Sequence, residues 1–152
     1  MKVAEALILR ADHKKRLEHL KQRLLRAVKV QEGDAPPENP ALLLAEMERV
    51  AHELMLLIQR INRTNAVTSL DNGRTIADAI AERDTLRLRH TLINAAIEGA
   101  VVKQDRFTKS EVRFTTTVDV GELQQQADDL AQAYRELDTK IQAANWLVEL
   151  IE

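Results

Sequence analysis

Two polar stretches of this 152-residue chain carry the side chains best suited to recognition chemistry. Arg60, Asn62, Arg63 and Asn65 form the first, and Arg74 follows it across a turn at Asp71-Asn72-Gly73. Gln142, Asn145 and Trp146 stand near the end of the sequence. Guanidinium groups present forks of N–H donors that match carboxylates and phosphates, and amides both donate and accept. The indole adds one N–H donor and a large stacking face. Brought together at one end of a helical bundle, these residues would recognise an anion or an amide. The plainer reading is a polar cap that satisfies helix termini, or an oligomer contact anchored on Trp146.

Catalytic chemistry finds less support. With no cysteine in the chain, a thiolate nucleophile, a thiolate metal site and a disulfide scaffold are excluded. His13 and His19 are six apart and face different sides of a helix, while His52 and His90 have no partner at ligand spacing. There is no Glu-x-x-His pair of the kind that di-iron bundles use. No phosphate loop or dinucleotide fingerprint occurs, and Ser69 and Ser110 lack nucleophile context. The chain is therefore expected to be no enzyme, with no metal and no cofactor.

Charge is uneven along the chain although the net charge is only −2. Residues 1–30 hold nine Lys/Arg and three Asp/Glu, a balance of +6, whereas residues 121–152 hold two and seven, a balance of −5. Arg10, Lys14, Lys15, Arg16, Lys21, Arg23, Arg26 and Lys29 would form a basic surface able to bind nucleic acid or an anionic lipid face. No aromatic residue interleaves them and no nucleic-acid motif accompanies them. Pairing of the basic first helix with the acidic last one, within the chain or between subunits, is the preferred reading.

The elements that position these groups follow from periodicity. Abundant Ala, Leu, Glu, Gln and Arg, with four glycines and three prolines, favour long helices. Leu17, Leu20, Leu24, Ala27 and Val28 mark one face of a first helix over about 2–31. Pro36, Pro37 and Pro40 break the chain, and Asn39-Pro40 reads as an N-cap followed by proline at the first helical position. Leu43, Met47, Val50, Leu54, Leu57 and Ile61 form a seam over about 40–66, widened by Leu44, Ala51, Met55 and Ile58. A third helix over about 75–102 carries Arg83 and His90 at seam positions, where polar groups need partners and can fix register. His90 could act as acid, base or ligand, but a hydrogen-bonded core residue is the simpler role. From Leu92 to Val102 that helix is apolar nearly all round, which predicts burial by several neighbours. Val112, Phe114, Thr116, Val118 and Val120 alternate with polar residues, so a short β-hairpin or an extended arm is expected around 105–120. Leu123, Ala127, Leu130, Tyr134, Leu137, Ile141, Ala144, Val148 and Ile151 keep a coiled-coil-like heptad in a last helix over about 120–151.

The expected fold class is mainly all-α, a four-helix bundle or two long antiparallel helical hairpins forming one domain over 1–152. The apolar runs at 3–9 and 41–45 are far shorter than the ~20 residues of a membrane span. The first contains Glu5 and lacks a small-residue cleavage site, so no signal peptide is expected.

Seven separated motifs also carry a resemblance. RLLRAVKVQEG at 23–33, INRTN at 61–65, NGRT at 72–75, ERDTLRLR at 82–89, SEVR at 110–113, TVDVGELQQQAD at 117–128 and RELDTKIQAANW at 135–146 occur in order. Together they resemble the septicolysin-like family of small bacterial proteins of unknown function, over essentially the whole chain. The resemblance implies a helical, homo-oligomeric, cytoplasmic protein and assigns no catalytic residues. Its label would imply a pore-forming toxin, but the alternating segment is too short and too charged to span a bilayer by itself. The function expected is that of an interaction or scaffold protein whose partner is another copy of itself. Nucleic-acid or anionic-surface binding and small-molecule binding at the polar cluster are the alternatives.

Overall fold

The computed structural model describes residues 1–101 and 112–152. It contains α1 (Val3–Ala27), α2 (Pro40–Val67), β1 (Ser69–Asp71), β2 (Arg74–Thr75), α3 (Ile76–Gly99) and α4 (Val120–Leu147), a mainly all-α chain with one very small sheet. Two compact units form, one from Met1–Ile76 with Gln142–Glu152 and the other from Ala77–Ile141.

In the first unit α1 and α2 make an antiparallel hairpin. Leu20, Ala27, Leu43 and Val50 close one end of it, with Leu17, Leu24 and Met47 packed alongside. Val3, Ala6, Leu57, Ile61 and Leu150 close the other. Asn39 accepts from Ala41 N–H at 2.9 Å, and Pro40 opens α2 where a missing N–H costs nothing. α1 stops at Ala27, short of the periodic Val28, which is exposed. Beyond the layer of Ala27 and Leu43 there is no α2 left to pack against, and helices are held mainly by such packing. The seam of α2 faces inward, but Leu44 and Met55 of its expected widening are exposed.

A two-residue turn joins β1 to β2. Asn72 has φ 41° and Gly73 φ 80°, the left-handed pair that a type I′ hairpin requires. Asp71 pairs with Arg74 and Ser69 with Thr75, with an irregularity between them. After α4 ends at Leu147 the chain runs extended beside the first residues, in a bridge between Lys2 and Glu149. The side-chain period therefore changes from the helical one to two. Leu150 turns inward, and Ile151, which the heptad placed on the seam, is exposed.

Glutamates of this unit neutralise part of α1. Arg16 pairs with Glu46 of α2, and Arg23 with Glu38 just before it. These hydrogen bonds hold both carboxyls below their ordinary value of 4.5. Such a carboxylate stabilises the fold above its unfolded value and loses that contribution as pH falls through the lowered one. The melting temperature is expected to drop on acidification below about pH 4.5, and less steeply in a Glu38→Gln/Glu46→Gln variant. Both pairs are on the surface, so salt should shrink the difference. Identical acid limbs for the two proteins would show that neither pair contributes.

In the second unit α3 and α4 run antiparallel. Asp119 accepts from Glu122 N–H at 3.1 Å and opens α4. Ala127, Leu130, Leu137 and Ile141 of its heptad are buried, as is Ala79 of α3. Residues 112–118 form no strand, so of the two forms expected around 105–120 no hairpin strand is present among the described residues, and Val112, Phe114 and Val118 are exposed. Residues 105–111 of the expected hairpin lie outside the described residues. The expected burial of the stretch from Leu92 by several neighbours is corrected: Leu92 of α3 is 60% exposed, and Val101, beyond the end of the helix, 58%.

Candidate functional site

The polar cluster lies in the first unit, where several of its members serve backbone ends. Thr64, fully buried, donates its hydroxyl hydrogen to Arg60 O at 2.8 Å and accepts from Ile151 N–H at 3.0 Å. Arg60 donates to Ile151 O at 3.0 Å, so one turn of α2 holds both the N–H and the carbonyl of Ile151. Lys2 Nζ reaches Leu147 O at 2.9 Å, the exposed carbonyl end of α4, and its ion pair with Glu149 is 2.7 Å. A cation at a helix C-terminus also meets the negative end of the helix dipole. Arg74 grips Asp71 with two bonds of 3.0 and 2.9 Å across the β-turn.

The remaining cluster residues divide. Arg63 donates back to Gln59 O of its own helix at 3.4 Å, and Asn62 and Gln142 are exposed. Asn145 is buried, and Asn65 Oδ1 is a buried acceptor that no donor among the described residues reaches. Trp146 is 57% exposed and the adjacent Leu147 75%. Thr64 is the residue that sequence reasoning undervalued: a threonine within a polar stretch gives no sign that a chain end 87 residues away will bond to it.

The seam polar groups lie in the second unit. Arg83 of α3 donates to Asp138 of α4 at 3.0 Å and to Asp84 at 2.8 Å. Partial burial alone would ease loss of its proton, but the two carboxylates outweigh this and hold its charge more firmly than usual. His90 lies 3.2 Å from the side-chain amide of Asn94 one turn on. Between the same two helices runs an open groove of about 490 Å³, lined by Leu86, Arg89, Leu92, Ile93, Leu130 and Ala133, with Gln126 and Asp129 at its edge. Apolar side chains dominate its floor. Its chemistry suits another apolar surface and lacks the converging polar groups that orient a small substrate.

The basic residues of α1 are only partly used. Arg16, Lys21 and Arg23 pair with Glu46, Glu18 and Glu38, and Arg26 lies close enough to Glu38 to lower its pKa. Arg10, Lys14, Lys15 and Lys29 make no ion pair among the described residues. Within the described residues no group of three His, Asp or Glu is placed to hold a metal ion. No helix there is long and apolar enough to cross a membrane.

Residues 10–150 match a family described as a family of unknown function, DUF6847. The chain is also similar to the crystal structure of a functionally unknown conserved protein from Corynebacterium diphtheriae, with a TM-score of 0.92 and 42% identity over 99% of each chain. No curated protein matches it.

Proposed function

The chain belongs to the family of unknown function DUF6847, and from that premise we propose that it is a self-assembling interaction protein of the cytoplasm. The observation that supports this reading is the exposed apolar side of α3. Leu88 is 58% exposed and Leu92 60%, one turn apart on α3, and Leu92 opens the stretch of that helix that is apolar on nearly every side. Scattered exposed leucines are ordinary on protein surfaces, but leucines grouped on a helix beside an apolar groove favour an interface. A unit of two helices buries one stripe of each and leaves the apolar residues on the other side of α3 without a second layer. A copy of the same unit supplies that layer. The septicolysin-like resemblance of its sequence motifs implies the same oligomeric, cytoplasmic character.

Assembly stabilises the folded state by mass action, so stability must depend on protein concentration. The melting temperature is expected to rise over a hundredfold increase in chain concentration. A melting temperature that stays constant over that range would contradict self-assembly. Phosphate binding is the second reading, favoured by Lys14 and Lys15 of α1 and Lys29 just beyond its end, which make no ion pair among the described residues. Its test is binding of labelled RNA and DNA at two salt concentrations, where phosphate contacts must weaken steeply with salt.

A further inference from the structure

The groove between α3 and α4 carries its own indication of how a partner would sit. Its two walls bear opposite charges: Arg89 stands on α3, and Asp129 on α4. Arg89 makes no ion pair among the described residues, and Asp129 accepts only a neutral hydrogen bond, from Gln125 at 2.9 Å. Leu92, at 60% exposure, lines the same groove on the α3 wall. The surface thus holds an exposed leucine, an apolar recess and one charge of each sign.

We infer that two copies pack these faces together about a twofold axis running along the groove, parallel to the helices. This rests on the self-assembly proposed above and names the surface that performs it. Such an axis sets α3 of each copy opposite α4 of the other, at the same height. Leu92 of each then enters the groove of the other, and Arg89 meets the partner's Asp129 twice over, as an isologous interface demands. The product is a four-helix bundle made from two hairpins. An axis perpendicular to the helices would set α3 against α3 and bring like charges together, so the rim selects the parallel one.

The size of the face fits this use. The 24 residues of α3 span about 36 Å, and two helices side by side are about 20 Å wide. That area is roughly 700 Å² for each copy, close to the ~800 Å² per partner of a standard stable interface.

Charge exchange tests the arrangement. In Arg89→Asp both rim groups are acidic, and in Asp129→Arg both are basic, so each variant repels its own copy. Mixed together, the two variants form heterodimers in which both rim pairs are of opposite sign. Sedimentation velocity is expected to show each variant alone with its dimer weakened at least tenfold, and an equimolar mixture with dimer restored. Circular dichroism of each variant confirms that its helices are intact, and recovery in the mixture confirms it independently. If the wild type assembles and both single variants assemble equally well, this surface is not the interface, although self-assembly stands. If the single variants dissociate and the mixture does not recover, the twofold pairing is wrong. A wild-type chain that never assembles overturns the underlying reading together with this one.

Discussion

Ile61→Ala is expected to cost about 3 kcal/mol of stability and to lower the melting temperature by about 10 °C. Ile61 is 1% exposed and lies in the cluster with Val3, Ala6, Leu57 and Leu150. That cluster joins both helices of the hairpin to the extended chain after α4, so a cavity there is lined by three segments at once. Rigid backbone on each side limits collapse into the space, and the cost of a large-to-small change grows with the cavity that remains. Ile8→Ala is the control. Ile8 lies on the same hairpin but is 55% exposed, so its loss should stay within about 0.5 kcal/mol. Chemical denaturation of the two variants measures the difference. Equal losses at the two positions would mean that the inward and outward faces of the hairpin have been misassigned.

The second large effect falls on assembly. A Leu88→Asp/Leu92→Asp double variant is expected to be monomeric at concentrations where the wild type is assembled, with the dissociation constant raised about 100-fold or more. Each leucine occurs twice in a symmetric pair, and burying one is worth about 1.5–3 kcal/mol, while tenfold in affinity corresponds to about 1.4 kcal/mol. Carboxylates at those positions would be desolvated in an interface but sit in water on a lone chain. Helicity should therefore persist, since both positions are exposed within a single chain. Light scattering at matched concentrations reads the outcome. A double variant that assembles as tightly as the wild type would remove α3 from the interface.

Much of the fold was legible because helical burial is written in a repeating pattern. Leu43, Met47, Val50, Leu54, Leu57 and Ile61 could be placed on one face from spacing alone, and Asn39-Pro40 and Asn72-Gly73 carry local backbone preferences that need no tertiary information. The pattern misleads where the chain changes conformation. The heptad continues through Ile151, but α4 ends at Leu147 and the extended residues that follow bury Leu150 instead. The alternation at 112–118 likewise records β propensity, which by itself does not place a strand.

The candidate sites were legible as residues and illegible as geometry. Arg60, Arg74 and Trp146 could be singled out by type, yet nothing in their spacing tells that Arg60 would bond Ile151 while Trp146 stays exposed. Pairing of the first and last helices was the expected use of the charge asymmetry. Within the chain, Lys2 and Glu149 make such a pair, whereas the ion pairs of Arg16 and Arg23 go to Glu46 and Glu38. The apolar stretch of α3 shows the same limit from the other side. Its composition states that it should be covered and is silent about which chain provides the cover.

Sedimentation equilibrium of the wild-type chain across micromolar concentrations tests the central claim most directly, because it measures mass without reference to shape. Self-assembly gives a mass that rises with concentration toward twice the 17.2 kDa of one chain. A constant mass of 17.2 kDa over the whole range would contradict it.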